Sequence, residues 1–201
     1  MRSLLQKARL IWPRIPCRNL LAAALAALVG VALGRHFLGT VCIVTGPSME
    51  PTFEEGDHVL TTPLDGNLAR GQIVILEDGR QDYAIKRIIG LPGEKVAIWR
   101  GYVYINERIL VEPYIPRGIY TFPREKRAFF NLGDDEYFVL GDNRPCSADS
   151  RMYGAVLAKN IKRKIPRPKE TQARFGPMVL MPISRKGDLP SDTPDQLASK
   201  M

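Results

Sequence analysis

The chain has 201 residues, 45% hydrophobic and 8% aromatic, with a formal charge of +8. That is room for one domain with a moderate core plus flanking segments, and its composition is that of a folded protein. Six of the eight net positive charges come from the first 35 residues, which hold no acidic side chain. The remainder is close to neutral, so nothing marks a nucleic-acid-binding face within the folded part.

In chain order, Arg2, Lys7, Arg9, Arg14 and Arg18 precede the apolar run from Leu20 to Leu33, which Arg35 and His36 interrupt. A basic flank followed by an apolar run points to a membrane. The run is shorter than the about 20 apolar residues of an ordinary span. It reads either as a cleaved signal peptide, which its small residues allow, or as an uncleaved anchor with Arg35 snorkelling at the far interface. A transit peptide is a third reading for the first 19 residues. The expected division is a basic cytoplasmic flank at 1–18, a transmembrane anchor and juxtamembrane segment at 19–44, the main folded domain at 45–165 and a Pro-rich tail at 166–201. The basic flank keeps the N-terminus in the cytoplasm and sends the domain across.

Beyond the anchor comes Gly46-Pro47-Ser48-Met49-Glu50-Pro51-Thr52, a turn by its glycine and prolines. Short apolar runs follow at 56–60 and 72–76, and then the strand Tyr83-Ala84-Ile85-Lys86-Arg87-Ile88-Ile89-Gly90. Runs at 95–99 and 102–106 flank Arg100-Gly101, a two-residue hairpin signal. Residues 107–133, rich in proline, charge and aromatics, read as a long excursion from the sheet. Glu136 to Leu140 forms another strand, running into Gly141-Asp142-Asn143-Arg144-Pro145-Cys146-Ser147-Ala148-Asp149-Ser150-Arg151. The expected fold is mainly β, with open or partly closed sheets. In the tail, Phe175 to Ile183 is apolar enough to dock on the domain or on a partner, and the last 17 residues are too polar to hold a fixed structure.

The three cysteines, Cys17, Cys42 and Cys146, lack metal-ligand spacing and give no disulfide framework. No metal or other cofactor is expected, and the sequence is silent on oligomeric state. Two histidines, His36 and His58, leave little choice of imidazole base, and no acid is marked out to orient His58. A lysine serves as base if desolvation populates its neutral amine. Lys86 sits in an apolar strand and shares a face with Ala84 and Ile88. Ser48 in a turn is then the candidate nucleophile. Its backbone N–H is the first candidate donor to an oxyanion.

The stretches Ser48-Met49-Glu50-Pro51-Thr52, Lys86-Arg87-Ile88-Ile89-Gly90-Leu91-Pro92-Gly93 and Gly141-Asp142-Asn143-Arg144 with Ser147, Asp149 and Arg151 together resemble type I signal peptidases. Those are membrane-bound serine proteases that remove signal peptides from exported proteins. The resemblance runs from about Val44 to Val156. It implies Ser48 as nucleophile, Lys86 as general base and Ser147 as a hydroxyl hydrogen-bonding the lysine amine. Asp149 and Arg151 would form a supporting pair, and Asp142 and Asn143 would shape the turn beside the site. Met49, Tyr83 and Ile85 are expected to wall the substrate groove, which would take Ala or Gly just before the cut. Many bacterial members carry a serine two positions before the nucleophile as a second oxyanion donor. Gly46 stands there instead, as in mitochondrial inner-membrane peptidases, which leaves that donor unassigned. The implied partners are preprotein signal peptides and the lipid bilayer. Plasma-membrane and mitochondrial inner-membrane settings both fit, the former better. A non-catalytic tethered binding module is disfavoured by the intact Ser48, Lys86 and Ser147.

Overall fold

The structure, a computed structural model, describes residues 17–37, 39–66, 68–77, 83–124, 128–166 and 178–182. The chain divides into two units between residues 38 and 39. The first contains helix α1 (Cys17–Phe37), whose alanine- and leucine-rich sequence has high helix propensity. Among the described residues no helix is long and apolar enough to cross a membrane. The α1 side chains described are those of 21–31 and 34, a stretch shorter than a span, and Leu21, Leu25, Leu28, Val29 and Val31 are exposed on it. The expected anchor extends into residues outside that stretch, and most of the basic flank lies outside the described residues.

The second unit is built from antiparallel sheets. Strands β1 (Thr40–Ile43) and β2 (His58–Thr61) form a two-stranded ribbon. Next come β3 (Ile73–Glu77), β4 (Tyr83–Gly90), β5 (Lys95–Trp99), β6 (Tyr102–Ile105), β7 (Arg108–Val111), β8 (Phe129–Asn131) and β9 (Glu136–Leu140). A single helical turn, α2 (Ser150–Tyr153), leads to β10 (Val156–Leu157), β11 (Ile161–Ile165) and β12 (Val179–Met181). One five-stranded sheet has the order β10-β9-β4-β3-β11, the other β12-β7-β6-β5-β8. Among the described residues each sheet ends in strands that have one partner only. The partly closed barrel allowed by the sequence is therefore replaced by open sheets, although the mainly β expectation stands.

The alternation of β4 explains why it is central. Ile89 enters a core shared with Phe138 of β9 and with Val96, Ile98, Val103 and Ile105 of the second sheet, where the rings of Phe130 and Phe138 lie 4.6 Å apart. Ile88, on the opposite face, joins Val74, Leu76 and Val139. A third cluster of Val44, Met49, Val59, Ile73 and Ile165 seats the Ser48 turn on the end of the first sheet.

The hairpin at Arg100-Gly101 forms as expected, with both residues at positive φ (49° and 86°). A second one escapes the sequence signal. Asn106 and Glu107 turn at φ 46° and 66° and start β7, which pairs with β6. Thus 107–133 is not wholly an excursion: it contributes β7 and β8. The apolar stretch in the tail does dock, since β12 pairs with β7 through Val179–Val111, Leu180–Leu110 and Met181–Ile109. The final 17 residues lie outside the described residues.

Candidate active site

Ser48 sits in a turn pinned at both ends. The carbonyl of Val44 accepts from Gly56 N at 2.9 Å, and Val44 N donates to Asp57 O at 2.9 Å. Inside the loop, Thr52 N and Phe53 N donate to Met49 O at 2.9 and 3.0 Å. Met49 is 1% exposed and anchors the turn in the third core cluster. Gly46 adopts φ 81°, a conformation a serine would enter only with strain. The turn geometry thus accounts for the missing side-chain donor at that position.

Lys86 comes from the opposite wall, opposite Val74 in the β3–β4 register. It is 4% exposed, and its Nζ donates to Ser48 Oγ at 3.0 Å and to Ile85 O at 2.9 Å. Burial holds its pKa below the ordinary lysine value, and the charges of Asp149 and then Asp142 oppose the shift without cancelling it.

The loop after β9 closes the site. Asn143 N donates to Ser48 O at 3.1 Å, and its side-chain amide donates to Pro47 O at 3.0 Å. Asn143 therefore clamps the serine turn directly. Asp142 does more than shape a turn. It is 1% exposed and accepts from Arg87 Nε at 2.8 Å, Arg87 NH2 at 2.5 Å and Thr52 Oγ1 at 2.5 Å. Asp149 caps α2 and takes a fork from Arg151, both bonds 2.8 Å, while Gly141 N donates to it at 3.1 Å.

Ser147 departs from expectation. It is 1% exposed, but its hydroxyl has no hydrogen-bond partner among the described residues. The expected bond to Lys86 is not made: the amine contacts Ser48 and Ile85, and the Ser147 hydroxyl is tucked against Gly141.

Behind this loop lies a network that the sequence did not reveal. Arg144 is 1% exposed and forks onto Glu112 at 2.9 and 2.5 Å, with its Nε donating to Gly141 O at 3.1 Å. Tyr114 OH donates to Glu112 at 2.5 Å, and the Arg87 guanidinium lies 4.0 Å from the Tyr114 ring centroid. Burial pushes the Tyr114 phenol well up, so it stays a neutral donor. These residues tie the second sheet to the loop that carries Ser147.

A cleft of about 570 Å³ opens onto Ser48 and Lys86. Met49, Tyr83 and Ile85 line it, and so do Cys42, Ile75 and Arg163, for which the sequence had suggested no place at a site. Within the described strands β4 pairs with β9 only from Arg87 onward, so residues 83–86 present an edge with β3 on one side alone. Such an edge accepts an extended peptide. Among the described residues no group of side chains could hold a metal ion.

A mainly β domain that sets a serine hydroxyl against a buried lysine amine, in a cleft with an open strand edge, has the features of hydrolases that employ lysine in place of histidine. The chain belongs to the signal peptidase family, peptidase S26, whose model matches residues 17–166. It is accordingly a serine endopeptidase. It is 36% identical to a signal peptidase I of Bacillus amyloliquefaciens over 138 residues, 64% of this chain and 74% of that protein. It is 30% identical to signal peptidase IB of Staphylococcus aureus over 163 residues, 73% of this chain and 85% of that one. A crystal structure of a signal peptidase I from Enterococcus faecalis aligns at a TM-score of 0.42 and 30% identity, over 50% of this chain and 97% of that chain.

Proposed function

We propose that this chain is a membrane-anchored endopeptidase that removes N-terminal signal peptides from exported preproteins by a Ser48–Lys86 pair. The observation that carries the reading is the 3.0 Å contact between Lys86 Nζ and Ser48 Oγ at the wall of a peptide-sized cleft. The neutral amine takes the Ser48 proton as Oγ attacks the scissile carbonyl. Ser48 N–H donates to the developing oxyanion. The Lys86 ammonium then returns the proton to the departing amine. The same amine activates the water that hydrolyses the acyl-enzyme. Met49, Ile75 and Ile85 narrow the cleft beside Ser48, which favours a small residue just before the cut. The basic flank and apolar run before the domain support a single span, with the N-terminus cytoplasmic and the domain on the outer face of the plasma membrane.

The test is incubation of the purified chain with a preprotein, followed by N-terminal sequencing of the product. One new N-terminus directly after a small residue is expected, and none with Ser48→Ala. Cleavage after large or basic residues, or persistent cleavage by Ser48→Ala, overturns the assignment.

A further inference from the structure

Buried arginines in this domain follow a pattern. Arg87 closes on Asp142, Arg144 on Glu112 and Arg151 on Asp149. In β11, Lys162 pairs with Glu77 at 2.7 Å and Lys164 pairs with Asp65. Arg163, between those two lysines, departs from the pattern. Its Nε donates to Thr61 Oγ1 at 2.7 Å and its NH2 to Thr61 O at 3.1 Å, with no carboxylate partner among the described residues. Thr61 is fully buried and its hydroxyl is itself fixed on Thr40 O at 2.8 Å. The guanidinium is thus held in one orientation by a rigid neighbour. It is half-buried, and it lines the cleft that contains Ser48 and Lys86.

We propose that Arg163 forms a subsite for a carboxylate of the substrate, selecting peptides with Asp or Glu near the cleaved bond. This inference rests on the peptidase reading above. A guanidinium oriented by two hydrogen bonds keeps further N–H donors, in a plane suited to a carboxylate, and has lost little side-chain entropy still to be surrendered on binding. The β11–β3–β4 register aligns Arg163, Ile75 and Ile85 across three strands. Two strand spacings set Arg163 about 10 Å from Ile85 at the backbone, measured across the strands. A peptide side chain that lies over Ile85 and Ile75 is therefore directed towards the Arg163 guanidinium, whichever position it holds relative to the cut. The apolar wall of Val44, Met49 and Ile85 belongs to the same cleft, which therefore offers both an apolar and a cationic recognition element.

The experiment compares matched peptides that carry Asp or Asn, and Glu or Gln, at each position from the sixth before the cut to the third after it. Wild-type kcat/KM is measured at about 50 mM and about 500 mM salt. At one position the acidic peptide should be preferred about three- to tenfold at low salt, the range of a partly solvated charge-assisted contact, with the preference shrinking at high salt. Arg163→Gln should abolish the acid-to-amide ratio, and Arg163→Glu should reverse it in favour of Lys or Arg at that position. Acid-to-amide ratios within twofold at every position in the wild-type enzyme overturn the subsite without any variant having to fold. So does an unchanged ratio in Arg163→Gln. Failure to cleave any peptide, or cleavage at a different bond, would instead count against the peptidase reading.

Discussion

Gly141→Ala is a sharp probe of how the site is assembled. A Cβ at this position would stand 2.5 Å from both Ser48 O and Ser147 Cβ and would overlap the Ser147 hydroxyl. Ordinary carbon contacts are about 3.5 Å, so something must yield by roughly 1 Å. The Ser147 hydroxyl has no hydrogen bond to hold it, but Ser147 Cβ and Ser48 O move only with the backbone. Ser48 O is held by Asn143 N, Gly141 N by Asp149, and Gly141 O by Arg144. Overpacking of this kind costs about 1–3 kcal/mol, a fall of roughly 3–10 °C in Tm for a domain of this size. The effect on catalysis should be larger, because the same movement carries Ser48 relative to Lys86, and a ~1 Å misplacement costs on the order of 10²-fold. Thermal unfolding and kcat/KM on a signal-peptide substrate read the two effects separately. Gly133→Ala is the control, since a Cβ there meets its nearest neighbour, Glu136, at an ordinary 3.5 Å. A Gly141→Ala enzyme within twofold of wild type and with unchanged Tm would refute the claim that this close approach sets the Ser48 position.

Four further outcomes are expected. Ser48→Ala and Lys86→Arg should each lower kcat/KM by about 10³-fold or more, the arginine because guanidinium stays protonated; an active Lys86→Arg enzyme would mean the base lies elsewhere. Because burial lowers the Lys86 pKa, kcat/KM should rise about tenfold per pH unit up to that lowered value and then level off; a flat profile from about pH 5 to 9 would contradict an amine base. Between the lowered folded pKa and the higher unfolded one, the unfolded chain binds more protons, so stability rises with pH. Lys86→Met should erase that slope and stabilise the protein near neutrality in urea unfolding at about pH 7 and 9. Arg87→Met leaves Asp142 buried and unpaired and should cost about 3–5 kcal/mol; a double-mutant cycle with Asp142→Asn that shows no coupling would argue against the pair.

How far the sequence reached depended on which signals were local. The Ser48 turn, the β4 strand and the Arg100-Gly101 hairpin each carry their pattern in a few neighbouring residues, and all appear where expected. Strand β7 was missed because Asn106-Glu107 makes its turn without the glycine that flags one. Strands β8 and β12 have three residues each, too short for period-2 alternation to register. The site followed the same rule. Ser48 and Lys86 were legible from chemistry and resemblance, whereas the Glu112–Tyr114–Arg144 network joins residues about 30 positions apart, and no local pattern encodes it. Asp142 looked like a turn residue because its partner Arg87 lies 55 residues earlier. Ser147 was expected on the lysine, but the space its side chain occupies is set by Gly141.

The surroundings of Lys86 face a physical conflict. A neutral amine needs a dry, apolar setting, yet the loop that holds Ser48 depends on two buried carboxylates, Asp142 and Asp149, and both pull the Lys86 pKa upward. Left bare, they would favour the ammonium and disable the base. Each is instead engaged by an arginine fork, Arg87 on Asp142 and Arg151 on Asp149. The forks satisfy the carboxylate lone pairs and offset their charge at short range, while Thr52 and the Gly141 amide take further contacts. What reaches Lys86 is a residual attraction smaller than the desolvation that opposes it, and its pKa moves down. The paired carboxylates can therefore fix the loop mechanically without setting the protonation state of the lysine. That separation explains why charged residues this close to the base are tolerated, and why each of them is paired.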